Sequence, residues 1–384
     1  MSYEQRAAWL RQSMTEISPE QALRMVEHEH ALLLDVRDAE EVQGGMPAQA
    51  AHLARGQLEL NVHHLASALE QPIAVLCAGG LRSLFAAESL HNLGYTKVYS
   101  VRGGFKGWKE AGLPVRIPQQ LGAEARERYS RHLFIPEVGE KGQLRLLNSR
   151  VLLLGAGGLG SPTALYLAAA GIGTLGIVDP DVVERSNLQR QVIHGEDQLG
   201  KLKVDSAAAA IARLNSQVNV IKYPVLLDES NALELLRDYD LVVDGSDNFK
   251  TRYLVNDACV KLGIPNVHGA IYRFEGYVTT FSARPGAPCY RCLYPEPPPP
   301  EMAPSCAEAG VLGVLPGVIG LLQALETIKL LLGIGSNLSG RMLRVDALNN
   351  DFTLLEIYQA DACLCTRERD SIAIEPVAPH VCAA

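Results

Sequence analysis

The sequence predicts an α/β protein in which a small α/β domain precedes a larger Rossmann-like domain with a mostly parallel sheet, and three observations predict it. Short apolar runs alternate with helical periodicity from Ala31 to Pro114; a longer strand–helix alternation begins after Asn148; and a polar, loosely patterned stretch, "RIPQQLGAEARERYSRH", lies between them. Helix-length connections between strands imply parallel pairing with both sheet faces covered. The limits assigned are residues 1–118 for the first domain, 119–123 for a linker and 124–384 for the second. A chain of 384 residues has room for two separate cores.

The elements follow in order. In the first domain the strands are "ALLLDVR", "IAVLC" and "KVYSV", with a helix over "SLFAAESLHNLG" and a closing segment "GGFKGWKEAGLPV". The second opens with a helix near Glu124 and then alternates: strand "RVLLLG", helix "SPTALYLAAAG", strand "TLGIVD", helix "KVDSAAAAIARL", strand "VNVIKY", helix "SNALELLRD", strand "DLVVDG", helix "RYLVNDACVKLG". Past Pro265 the texture changes to a strand "EGYVTTFS", a proline-rich loop "YPEPPPPEMAPS" and two strand-like runs, "RMLRVDAL" and "DFTLLEIY". The apolar run from Gly310 is interrupted by Pro316, Gln323, Glu326 and Lys329, so it reads as a buried or interface helix.

Composition narrows the function classes. A chain that is 47% hydrophobic and 20% charged is neither disordered nor fibrous, and a net charge of -8 leaves no basic footprint for nucleic acid. The amino terminus, "MSYEQRAAWLRQSMTE", has no apolar signal core, so the expectation is a cytoplasmic protein without a membrane partner. Eight cysteines in such a setting point to metal binding or catalysis.

Gly155, Gly157 and Gly160, with Gly158 among them, match GxGxxG between a strand and a helix, and Asp179 closes the next strand where an acid would hold ribose hydroxyls. A dehydrogenase remains open at this point. Asn187, Arg190 and Lys203 then add a donor and two cations suited to a triphosphate, which favours ATP. Asp244, Asp247 and Asn248 end a further strand, where ligands bind in open α/β sheets, and a carboxylate there suits Mg²⁺ on phosphate oxygens. Cys289 and Cys292 have the spacing of a structural zinc half-site, while Cys259 inside an apolar helix reads as core. Cys77 ends a strand ahead of two glycines and Arg82. Loop amides, a helix amino terminus and Arg82 would favour a thiolate or persulfide; a small buried residue closing a strand is the alternative.

The ordered series "RYSRH", "GAGGLGS", "DPDVVERSNLQRQ", "LGKLKV", "DGSDN", "PCYRCLYPE" and "CAEAGVLG" closely resembles the MoeB/ThiF family of adenylating enzymes, from about Glu124 onward. The resemblance implies ATP-dependent adenylation of the C-terminal glycine of a small ubiquitin-like sulfur carrier ending in Gly-Gly. By position, Gly157 would face phosphate and Asp179 the ribose; Asn187, Arg190 and Lys203 would contact phosphates; Asp247 would hold Mg²⁺; and Arg131 would reach a neighbouring subunit's ATP site, which implies a homodimer. Cys306 matches a cysteine of acyl or sulfur exchange. Relatives end in a second CxxC, whereas the tail here reads "DACLCTRE". Cys363 matches one zinc ligand, and the expected fourth is Cys365, one residue early, with Cys382 in reserve.

From Ser18 to Pro118 the chain resembles the rhodanese family, through "LLLDVRDAEE", "CAGGLRS" and "RGGFKGWKEAGLPV", with Asp35 and Arg37 matching residues that support the loop. Two features depart from the pattern: "GGMPAQAAHLARG" replaces the usual rim, and the domain precedes the adenylating unit. Together the resemblances imply an adenylyltransferase and sulfurtransferase in which a Cys77 persulfide, loaded by a donor such as a cysteine desulfurase, converts the adenylate to a thiocarboxylate. The molybdopterin synthase small subunit is the carrier expected first. Carriers of thiamine synthesis, tRNA thiolation or natural products, with the rhodanese-like domain as a docking module, are the alternative.

Overall fold

The computed structural model describes residues 2–297 and 310–374, and the chain divides into two compact units, Met1–Gln120 and Leu121–Ala384. In the first, strands β1 (Thr15–Ile17), β2 (Leu32–Asp35), β4 (Ala51–His52), β5 (Ile73–Leu76) and β6 (Val98–Val101) form one parallel sheet in the order β1-β6-β5-β2-β4. A small antiparallel pair, β3 (Met46–Pro47) and β7 (Val115–Arg116), lies beside it. Strands β2 and β5 are uninterrupted apolar runs because both faces are covered: Leu33, Leu76, Phe105 and Trp108 pack on one side, Leu34, Val75 and Leu90 on the other.

Two helices of this unit, Tyr3–Ser13 and Pro19–Glu29, were not expected from the sequence. Each starts in a reciprocal cap: Ser2 with Gln5, and Ser18 with Gln21.

The second unit carries strands β8 (Arg150–Leu154), β9 (Thr174–Val178), β10 (Asn219–Tyr223), β11 (Leu241–Asp244), β12 (Asn266–Tyr272), β13 (Glu275–Phe281), β14 (Arg341–Asp346) and β15 (Asp351–Glu356). They form one sheet in the order β10-β9-β8-β11-β12-β13-β14-β15. Pairing is parallel through β12 and antiparallel beyond it. The sequence reading assigned no strand at β12, and the hairpin it forms with β13 is what turns the sheet antiparallel.

Helix Val314–Leu332 is long and apolar enough by composition to cross a membrane, but half of its most apolar window is buried in the unit. It lies on β12 and β13, with Ile319, Gln323 and Thr327 inward. Gln323 Nε2 donates to the carbonyls of Asp244 and Val267, at 2.8 and 3.1 Å, fixing the helix to the ends of β11 and β12. Strands β8, β9 and β11 run in one direction, so their carboxyl ends open on a common crevice.

Candidate functional sites

A cavity of about 270 Å³ occupies that crevice. Its wall includes Gly155, Gly157, Gly158, Asp179, Arg190, Lys203, Asp247 and Asn248. Gly155 sits at φ +90°, a backbone state L side chains rarely adopt, and so reverses the chain directly after β8. Gly160 is not on the wall. A Cβ there would lie 1.9 Å from the Gly155 carbonyl, so this glycine lets helix Gly160–Ala170 sit against the turn it follows.

The turn is tied down from behind. Asp179, buried at the end of β9, accepts the Ala156 and Asp181 N–H groups at 2.8 and 2.9 Å. Burial pushes its pKa up against the pull of Lys203 and these donors. His194 donates through Nε2 to the Ala156 carbonyl at 2.9 Å and meets Ser206 at 2.9 Å, and burial pushes its pKa down, which keeps the ring neutral.

Lys203, 5% exposed, reaches the cavity with its ammonium 2.8 Å from Asp181, a carboxylate the sequence reading passed over. Arg190 is braced by Asn187, whose Oδ1 accepts from Nη2 at 3.0 Å, so Asn187 stands behind the wall rather than on it. Asp247 is exposed, and Asn248 caps helix Phe249–Leu262 by accepting the Thr251 N–H at 2.9 Å. Further residues line the cavity without having been anticipated, among them Gln191, whose buried Oε1 has no partner; Ser246, whose buried Oγ has none; and Arg252, which donates to the Ser246 carbonyl at 3.0 Å. Gln191 and Ser246 left a trace in the sequence, as the last letter of "NLQRQ" and the serine of "DGSDN"; Arg252 did not. Arg131, on the short helix Ser130–Leu133, is exposed and lies off this wall.

Four cysteines of the second unit, Cys289, Cys292, Cys363 and Cys365, converge. Cys289 and Cys363 Sγ lie 3.4 Å apart, Cys292 and Cys365 3.5 Å, Cys289 and Cys292 4.0 Å, and all four lie within 4.8 Å of one another. A zinc tetrahedron with ~2.3 Å bonds has edges of ~3.8 Å, so the set fits that ion. A single 3₁₀ turn, Leu364–Thr366, brings Cys365 into place despite the short spacing. Burial opposes ionisation of Cys292, but the N–H groups of Ala360 and Cys289 outweigh it and hold this thiol below its usual range. Cys259 is buried elsewhere and pushed up by desolvation. Cys306 and Cys382 lie outside the described residues.

In the first unit Cys77 follows β5 and is 1% exposed. Its Sγ accepts the Gly80 N–H at 3.2 Å and lies 3.7 Å from Ser83 Oγ, so amide support of sulfur is in place. Arg82 differs from expectation. Its guanidinium is forked onto Glu41, with two contacts of 2.6 Å, and reaches Asp38 at 3.3 Å, because a carboxylate matches two parallel N–H donors. Glu41 is held below the usual carboxylate range by Arg82. The buried pair Asp35–Arg37, at 2.6 Å, anchors the segment bearing Glu41, since Arg37 also donates to the Glu41 and Gly45 carbonyls.

Comparison with known proteins gives two family matches: the ThiF family over residues 129–366 and the rhodanese-like domain over residues 18–111. Curated relatives include the adenylyltransferase and sulfurtransferase MOCS3 of Mus musculus, 51% identical over 66% of this chain and 57% of that protein. The SAMP-activating enzyme E1 of Haloferax volcanii is 56% identical over 67% of this chain and 94% of its own length. The sulfur carrier protein adenylyltransferase of Thermus thermophilus is 52% identical over 62% and 90%. The matched segment thus spans little more than half of the mouse relative. Among solved structures, E. coli MccB with ATP aligns at a TM-score of 0.55 and 21% identity, over 64% of this chain and 77% of that one, a likeness of fold.

Proposed function

Because the chain belongs to the ThiF family and carries a rhodanese-like domain ahead of that region, we propose that it adenylates the C-terminal glycine carboxylate of a small ubiquitin-like sulfur carrier and then exchanges the adenylate for sulfur. The observation that carries the first step is the cavity at the strand ends, whose wall brings together Arg190, Lys203, Arg252, Asp247 and the glycine turn. A carboxylate is already ionised at neutral pH, so its oxygen attacks the α-phosphorus without a general base while the cations take up charge developing on pyrophosphate. Gly157 and Gly158 offer close approach to phosphates, Asp179 accepts from ribose, and Asn187 acts by holding Arg190. Magnesium, when bound, neutralises phosphate charge, and the exposed Asp247 carboxylate beside Asn248 is the group suited to hold it. Zinc would be held by Cys289, Cys292, Cys363 and Cys365, in a structural role.

In the second step a persulfide on Cys77 attacks the acyl carbon and expels AMP. The Cys306 thiolate, assigned to this exchange, then attacks the Cys77 sulfur of the acyl disulfide, which releases the thiocarboxylate and leaves a Cys77–Cys306 disulfide that a cellular dithiol reductant restores to two thiols. The mouse relative, named for both adenylyltransferase and sulfurtransferase activity, supports the pairing. Exposed Arg131, and an apolar stripe of Val314, Val318, Leu321 and Leu325 on helix Val314–Leu332, support a homodimer. A reducing cytoplasm, and loading of Cys77 by a cysteine desulfurase, belong to the same proposal. Molybdopterin synthesis remains the pathway proposed first.

Two specific features favour a second reading of the first unit, a docking module: Cys77 is almost fully buried, and Arg82 is engaged by Glu41. Arg190→Ala and Asp247→Ala are expected to cut ATP/pyrophosphate exchange by orders of magnitude while melting as wild type does; near-normal exchange in both removes the assignment. Cyanolysis with thiosulfate separates the readings of the first unit, since Cys77→Ser should abolish a parental activity, and an inactive parent favours docking.

A further inference from the structure

Below the cavity floor lie two ionisable groups that the adenylation chemistry does not use. Asp244 is the last residue of β11, His268 is its register partner on β12, and the His268 Nδ1 to Asp244 Oδ2 distance is 2.9 Å. Both are buried, at 0% and 4% exposure. A buried pair of this kind is a poor stabilising device, because two apolar residues at the same register would join the strands without the desolvation cost. Its position suggests a different use.

The second oxygen of Asp244, Oδ1, accepts the Ser246 N–H at 2.9 Å. The carbonyl of Ser246 in turn receives Arg252 Nη2 at 3.0 Å. One carboxylate therefore spans from β12 to the first turn of the loop that carries Asp247 and Asn248, and the far side of that loop is tied to a cation of the cavity wall. The His268 ring is itself wedged, edge against Tyr290 at 5.2 Å between centroids, and near Phe281 at 6.0 Å. Gln323 holds the Asp244 carbonyl from the opposite side. Both carboxylate oxygens and the carbonyl of Asp244 are thus engaged.

We propose that His268 is a positioning residue for phosphate and magnesium binding: through Asp244 it fixes the backbone of Gly245–Asn248 and so aims the Asp247 carboxylate into the cavity. The inference rests on the adenylation reading of that cavity. Groups behind a metal-binding carboxylate set its orientation, and their loss typically costs about tenfold or more in affinity.

The test uses the full-length chain, ATP and Mg²⁺, with dissociation constants from calorimetry and a melting curve for every protein. Asn at 268 places an amide where Nδ1 stands, whereas Gln places it nearer the position of Nε2. His268→Asn should therefore bind ATP with magnesium within a few-fold of wild type, and His268→Gln and His268→Ala should be weaker by about tenfold or more. In EDTA the variants should differ little, because Asp247 then has no cation to present. Should the alanine variant not fold, the Asn and Gln pair decides alone. Equal affinities for that pair, or the same loss with and without magnesium, overturns the proposal and leaves the adenylation reading standing. A wild type that binds no ATP overturns both.

Discussion

Replacing Cys363 by serine tests what the four-cysteine centre does for the fold. Cys289 and Cys363 lie 74 residues apart in sequence, and Cys292 and Cys365 73, so a bound zinc closes essentially one long loop. Treated as a cross-link, a loop of that length restrains the unfolded chain by about 4.5 kcal/mol, counted once because the two spans coincide. At roughly 2 °C per kcal/mol for a unit as large as Leu121–Ala384, the expected fall in its melting temperature is about 9 °C. Metal analysis and scanning calorimetry on the full-length protein read both quantities. Cys363→Ser should lose zinc and melt low, while Cys382→Ser should keep zinc and melt normally. A Cys363→Ser protein with full zinc, or a metal-free wild type that melts with the loaded one, would refute the reasoning.

Further consequences follow from individual contacts. Glu41→Gln removes the forked charge partner of Arg82 and leaves only the longer contact with Asp38, so thiosulfate-dependent sulfur transfer should rise several-fold and fall again in the Glu41→Gln/Arg82→Ala double variant; an unchanged rate would mean Arg82 does not act on the Cys77 loop. Burial lowers the pKa values of His194 and His268, so below an unfolded value near 6.5 the unfolded chain takes up protons that the native state refuses. Stability should then fall with pH by up to about 1.4 kcal/mol per pH unit for each histidine, a loss absent above neutrality, and urea titrations on either side of that range would expose a flat profile if the signs are wrong. Gly160→Ala puts a methyl 1.9 Å from the Gly155 carbonyl and should destabilise by about 1–3 kcal/mol while weakening ATP, as thermal melts with and without nucleotide would report.

Strands buried on both faces were legible because nothing polar interrupts them, as in "VLLL" and "LVVD". The glycine turn was legible because only glycine reaches φ +90° without strain at Gly155. The amino-terminal helices were missed although their caps, "SYEQ" and "SPEQ", are written in the sequence. Strand β12 was obscured by Gly269 and His268, and Gly269 has its reason only in three dimensions: a Cβ there would meet the Gln323 side chain at 2.5 Å. Pairings across long sequence separations left no local trace. Glu41 reaches Arg82 over 41 residues, Asp181 reaches Lys203 over 22, and His268 reaches Asp244 over 24. Each depends on how strands are ordered in a sheet, which periodicity does not encode. The cysteine spacing was legible as a departure, but that a 3₁₀ turn absorbs it was not.

The central claim, activation of a carrier's terminal carboxylate followed by sulfur exchange, is tested most directly by intact mass. The full-length chain, Mg²⁺ and ATP are mixed with candidate ubiquitin-like carriers ending in Gly-Gly, with and without a persulfide source. The account predicts an adenylylated carrier terminus without persulfide, and replacement of one oxygen by sulfur when persulfide is added, the latter lost in Cys77→Ser. Carriers that stay unmodified while the chain binds a nicotinamide dinucleotide tightly and ignores ATP would contradict it.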